Sequence, residues 1–127
     1  MEILMNKTFA ALLMFGMLFP TMAMAQSKSS IVPVMTGAYA PAEGGCNTAA
    51  AAFIYIEDKS IAANKTTGTV TSAKKDGASY VLDVLWIEAG ADKADGDRDT
   101  VRIEVKDDRS FYFSNSASER TLMRWCS

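Results

Sequence analysis

The sequence contains no histidine and only two cysteines in 127 residues. Without histidine there can be no Ser-His-Asp triad, no Cys-His pair and no zinc site with histidine ligands. Two cysteines are also too few for a zinc site made of cysteines alone. Because histidine is the side chain that titrates near neutral pH without perturbation, only carboxylate chemistry or no catalysis remains. We expect no metal and no cofactor.

The charge balance excludes another class of partner. Lysine and arginine number 13 and the acidic residues 15, which gives a net charge of −2. A nucleic-acid-binding protein would show a basic stripe, so we expect no nucleic-acid partner.

The first 25 residues have the three parts of a secretory signal. One lysine precedes an apolar run, Phe9–Phe19, and the small residues Ala23–Ala25 end the segment. The run is short for a membrane span, so we predict a cleaved signal, with a retained anchor as the alternative. Met5 is an alternative start. The remaining chain, 26–127, has the length of one exported domain.

The two cysteines stand near the two ends of this domain. In an oxidising compartment an even pair predicts a disulfide, here between Cys46 and Cys126. The bond would close a loop of about 80 residues and stabilise the fold by about 4.5 kcal/mol in the chain-entropy model. Two free thiols are the alternative.

The clearest pattern is strict alternation of apolar and charged residues over Val101–Lys106, which predicts a strand with one buried face. A turn at Asp107-Asp108 and a second strand over Arg109–Ser114 complete a hairpin. Ser79–Glu88 is a longer strand with apolar residues on both faces, interrupted by Asp83. We therefore predict that it is buried on most of both sides.

Further strands are predicted over Phe53–Glu57 and Thr67–Ala73, and over Ile31–Met35 at a sheet edge because it contains a proline. The C-terminal segment fits either a helix after a capping box at Ser116–Glu119 or a strand over Arg120–Cys126, which its alternation favours. The fold class is all-β, a small antiparallel barrel or sandwich of about six to eight strands.

Two acidic features are candidate sites. The segment 92–99 has four aspartates in eight residues, but the order of its glycine and acidic residues is not that of an EF-hand, so we interpret it as a solvated loop. Asp83 lies among apolar neighbours, where desolvation would raise its pKa as a hydrolase requires. An edge position, or pairing with Arg102 or Arg124, is the structural alternative.

The segment 74–80 joins two predicted strands through an Asp-Gly turn. It carries two lysines, a serine and the aromatic ring of Tyr80. A loop of this kind is suited to enter the cleft of a partner protein.

This segment and its surroundings resemble the periplasmic inhibitors of c-type lysozyme, the MliC/PliC group. The features in common are the signal, a cysteine near each end, the element Gly77–Tyr80 opening a long strand, and the aromatic-to-glycine segment Trp86–Gly90. The resemblance implies a small antiparallel barrel in the periplasm whose two loops enter the lysozyme cleft. The implied inhibitor residues are Lys74, Lys75, Asp76, Gly77, Ser79, Tyr80, Glu88, Gly90 and Lys93.

The sequence departs from the family pattern at two points. Asp76 stands where the family has serine, and Glu88 stands near the position where the family has lysine. A carboxylate facing the two catalytic carboxylates of lysozyme would be repelled. We therefore expect that Ser79, Lys74 or Lys75 makes the contact, or that the target surface differs from that of the family's lysozymes.

The leading hypothesis is a non-enzymatic, periplasmic inhibitor of lysozyme or of the bacterium's own lytic peptidoglycan hydrolases. The acidic segment 92–99 would steer it toward a basic enzyme. The alternative is an envelope module that binds a small apolar ligand or another envelope protein, with Tyr39, Tyr112 and Trp125 at a barrel mouth. A third hypothesis is a hydrolase that uses Asp83.

Overall fold

The computed structural model describes residues 27–126. In this range eight antiparallel strands follow one another around a closed barrel, and the last strand pairs with the first. The barrel is thus the correct choice between the two predicted architectures. The strands are β1 (Gly37–Pro41), β2 (Ile54–Ile56), β3 (Ser60–Ala63), β4 (Thr66–Asp76), β5 (Ser79–Glu88), β6 (Asp97–Asp107), β7 (Ser110–Ser114) and β8 (Thr121–Trp125).

Alternation along the strands fills the barrel. In β6, Val101 and Ile103 are wholly buried, whereas Arg102 between them is exposed. Because successive side chains of a strand point to opposite faces, each apolar position of this pattern faces inward. The core is completed by side chains from all of the other strands except β4, chiefly Tyr39, Ile54, Ile56, Ile61, Leu82, Val84, Phe111, Phe113 and Met123.

Up-and-down strand order gathers the connections at two ends. We call one the open end, formed by the segments 42–53, 64–65, 89–96 and 115–120. We call the other the closed end, formed by the turns 57–59, 77–78 and 108–109 together with residues 27–36.

Residues 27–36 cover the closed end, and the prediction of an edge strand over Ile31–Met35 is wrong. The segment is a series of bends, and its own side chains Val32 and Val34 are buried in the barrel core. The Val34 amide donates to the Val32 carbonyl at 2.8 Å, a tight turn that strand pairing does not allow. The Tyr39 hydroxyl donates to the Met35 carbonyl at 2.6 Å and ties the segment to β1.

Strands β4, β5 and β6 are about twice as long as the others. β4 and β5 extend past the end of β3 at the closed end, whereas the part of β6 without a β7 partner, 97–101, lies at the open end. β3 pairs with β4 only as far as Thr69, and a bulge follows between Val70 and Ser72. Beyond it, no strand that the structure describes pairs with the outer edge of β4. The β4–β5 hairpin therefore extends past β3 with one free edge, and β6 pairs along its other edge as far as the turn, where the Val105 amide donates to the Ala78 carbonyl at 3.2 Å.

The predicted disulfide between Cys46 and Cys126 is confirmed, with an S–S distance of 2.06 Å. Cys126 follows β8, and its amide donates to the Ala38 carbonyl in β1 at 2.7 Å. Cys46 lies in a short 3₁₀ turn of the β1–β2 connection. The bond thus fixes both the C-terminus and this long connection to the barrel wall.

Candidate functional site

The predicted inhibitor segment 74–80 is the tip of the β4–β5 hairpin, and we call it the hairpin tip. Lys74, Lys75 and Asp76 are the last residues of β4, and the turn itself is only Gly77-Ala78. Gly77 has φ +65°, a left-handed conformation that glycine adopts without steric cost. All five of these residues are exposed. The tip is therefore accessible to a partner, with β6 on one side of it and a free edge on the other.

The other two residues of the tip, Ser79 and Tyr80, are partly or fully buried and anchor it to the barrel. Ser79 is buried, with 9% of its surface exposed. Tyr80 is half-buried and packs against the barrel core. Asp76 lies 3.3 Å from the guanidinium of Arg102 on β6, where both side chains are largely exposed. Such a pair contributes little to stability, but it places a cation beside Asp76, so the two lysines dominate the charge of the tip.

The second predicted segment lies elsewhere. Glu88 is the last residue of β5, Gly90 and Lys93 follow it, and all three are exposed at the open end. The ten residues of β5 separate them from the tip, which corresponds to about 30 Å at about 3.3 Å per residue. The structure does not bring the two segments together, and one cleft cannot receive both.

The acidic segment 92–99 divides into two parts. Asp92, Asp95 and Asp97 are exposed around a 3₁₀ turn and the start of β6. Asp99 instead accepts hydrogen bonds from the Trp86 indole at 2.9 Å and the Asn115 side-chain amide at 3.0 Å. These hydrogen bonds connect β5, β6 and the β7–β8 connection at the open end.

Asp99 has an unusual electrostatic environment. Partial burial raises its pKa, but hydrogen bonds from the Trp86 indole, from the hydroxyl and amide of Ser116, and from the Thr100 amide together outweigh burial. The pKa of Asp99 therefore lies below its ordinary value of 3.8. This ionised carboxylate has a structural role, which the sequence pattern did not indicate.

The acidic residues do not form the sites considered from the sequence. Within residues 27–126, no three acidic or cysteine side chains converge as metal ligands would. Asp83 is exposed on the outer face of β5, in an open polar groove, and accepts a hydrogen bond from Ser72 at 2.7 Å. The second face of β5 is only half-buried at Val81, Leu85 and Ile87, less than the sequence predicts, and Asp83 interrupts it as an exposed residue. The desolvation that a hydrolase would need is lacking at Asp83.

The aromatic residues expected at a barrel mouth lie elsewhere. Tyr39 is wholly buried in the core. Tyr112 is covered by the Arg120 guanidinium, which lies 3.6 Å from the ring centroid. Trp125 lies toward the closed end, where Arg109 covers its ring at 4.9 Å. The open end is lined by other residues, with Trp86 and Phe113 as its aromatic rings.

No protein-family model, curated protein or solved structure matches this chain. Among residues 27–126, no helix has the length and apolar character needed to cross a bilayer.

Proposed function

We propose that the protein is a periplasmic inhibitor of lysozyme, or of a related lytic peptidoglycan hydrolase, that inserts the hairpin tip into the enzyme's cleft. The observation that carries the proposal is the tip itself, an exposed two-residue turn preceded by Lys74, Lys75 and Asp76 on a hairpin that extends past β3. Hydrolases of this class use a pair of carboxylates in a groove. An exposed cationic turn with a free edge complements the charge of such a groove.

Rigidity supports this function. A loop that is already ordered loses little conformational entropy on binding. The tip is held by ladder pairing along the whole of β4 and β5, by the packing of Tyr80 on the core, and by pairing of β5 with β6. The disulfide ties the β1–β2 connection to the residue after β8, and so stabilises the barrel that carries the hairpin.

The position of the acidic segment does not support the expectation that it steers the hairpin tip toward a basic enzyme. The acidic residues of 92–97 lie about 30 Å from the tip, at the other end of β5. At physiological ionic strength, exposed charges are largely screened beyond about 8 Å. The acidic segment therefore has no direct part in a complex formed at the tip, and the contact depends on Lys74 and Lys75.

A lysis assay with two matched variants tests the proposal. Wild-type protein at micromolar concentration is expected to slow the clearing of a bacterial cell-wall suspension by a c-type lysozyme or by a lytic enzyme of the same bacterium. The variant Lys74→Ala/Lys75→Ala is expected to lose at least tenfold in inhibition. The control Lys93→Ala/Arg98→Ala removes the same charge at the open end and is expected to inhibit as wild type does. Loss of inhibition in the control alone would assign the contact to the open end and overturn the role of the tip.

A further inference from the structure

The open end of the barrel contains a pocket that the proposed function does not use. Its volume is about 380 Å³, and we call it the mouth pocket. Ile54, Phe113 and Met123 point into it from the barrel wall, and Ala51 and Ala52 form one side. The size is within the range of small-molecule sites.

Trp86 is the largest side chain lining the pocket, and its position is fixed. Gly68 lies directly across from it on β4. A Cβ at Gly68 would come within 2.8 Å of Val84, 2.9 Å of Ile61 and 3.0 Å of the indole. Glycine thus leaves room for the indole to lie over the neighbouring strand, and Asp99 holds its N–H at 2.9 Å.

Of the four polar side chains that line the pocket, those of Thr66, Asn115 and Thr121 are hydrogen-bonded within the protein, and Ser118 is exposed to solvent. The Asn115 amide donates to Asp99, and its carbonyl accepts from the Ala117 amide at 3.1 Å. The Thr121 hydroxyl donates to the Glu119 carbonyl at 2.9 Å. Among the described residues, no charged side chain lines the pocket. An ion inside it would therefore lose hydration without gaining a partner.

The pocket is also blind. The segment 27–36 covers the other end of the barrel, and its side chains Val32 and Val34 are buried in the core there. A long acyl chain cannot thread through the barrel, so only a compact molecule fits. The Ala51–Ala52 side belongs to the connection that the disulfide ties to β8, so this wall is held in place.

We propose that the mouth pocket binds a compact, uncharged, apolar molecule with up to three aromatic rings, packed against Trp86 and Phe113. Aromatic side chains bind flat rings through offset or edge-to-face contacts. The site lies at the opposite end of β5 from the hairpin tip, so the proposal is independent of lysozyme inhibition.

Fluorescence titration with N-phenylnaphthylamine, an uncharged two-ring probe with an added phenyl group, tests the site. The wild-type protein is expected to bind it in the micromolar range, and to bind the anionic anilinonaphthalene sulfonate at least tenfold more weakly. Ala51→Phe, which narrows the pocket, is expected to weaken probe binding at least tenfold. The matched control Ala49→Phe changes an exposed alanine outside the pocket and is expected to leave binding unchanged.

Three outcomes would overturn this inference: no binding of the uncharged probe at micromolar protein, equal binding of the two probes, or equal affinity in wild type and Ala51→Phe. Circular dichroism and a thermal melt of each variant establish that it is folded. Because Lys74→Ala/Lys75→Ala leaves the mouth pocket intact, its probe affinity is expected to equal that of wild type whether or not it inhibits a hydrolase.

Discussion

Asp99→Asn removes one charge at the centre of the open-end hydrogen-bond network. The native carboxylate accepts from the side chains of Trp86, Asn115 and Ser116 and from the amides of Ser116 and Thr100. In the variant, an amide group replaces the oxygen that receives the Trp86 and Asn115 donors, or the side chain turns and loses the Ser116 contacts. Either arrangement leaves donors without an acceptor.

The magnitude follows from these contacts. Hydrogen bonds to a charged group contribute about 1.5–3 kcal/mol each when buried, and Asp99 is only partly buried. We therefore expect a total loss of about 2 kcal/mol in the free energy of unfolding. For a domain of about 100 residues this lowers Tm by about 10 °C. Urea unfolding measures the loss, with a shifted midpoint and an unchanged m-value.

The same network predicts a dependence on pH. Because the folded-state pKa of Asp99 lies below 3.8, its stabilisation is fully present above the unfolded-state pKa of about 3.9 and is lost as pH falls through the folded value. The stability gap between wild type and Asp99→Asn is thus constant between about pH 5 and pH 7 and narrows below about pH 4.

Asp97→Asn is the matched control, since it removes the same charge from an exposed position two residues earlier in β6. An exposed substitution of this kind changes stability by less than about 0.5 kcal/mol. Equal unfolding midpoints for the two variants would refute the structural role of Asp99.

Two further predictions concern the barrel. Cys46→Ser/Cys126→Ser removes the disulfide, which joins residues with a sequence separation of 80. We expect it to lower the free energy of unfolding by about 4 kcal/mol. A loss below about 1 kcal/mol in urea unfolding would contradict this. Gly68→Ala places a methyl group 2.8 Å from Val84 and 3.0 Å from Trp86, so we expect a loss of about 2 kcal/mol from overpacking and a shifted tryptophan emission. An unchanged Tm and emission spectrum would show that the indole does not need this space.

The strands with strong alternation were predictable from the sequence, and two others were not. The segments that became β5 to β8 have regular patterns and were placed within a few residues. β1 and β3 are short, and much of their sequence is glycine, alanine and proline, which have low strand propensity. Tyr39 in β1 was therefore expected at the surface, although it lies in the core.

The candidate site was predictable only as separate pieces. The Asp-Gly pair indicated the turn at the hairpin tip, because turn chemistry is local. The distance between the tip and Lys93 depends on the length of β5 and on strand direction, which a motif does not contain. The pairing of Gly68 with Trp86 and the contacts of Asp99 arise from residues far apart in sequence, so only the folded barrel brings them together.

The central claim is that the hairpin tip inhibits a peptidoglycan hydrolase through its two lysines. The most direct measurement is the rate of cell-wall lysis against inhibitor concentration for wild type, Lys74→Ala/Lys75→Ala and Lys93→Ala/Arg98→Ala. The account predicts micromolar inhibition by wild type and by the open-end variant, with at least a tenfold loss in the tip variant. If wild-type protein slows neither a c-type lysozyme nor the lytic enzymes of the same bacterium, or if the tip variant inhibits as wild type does, the account is contradicted.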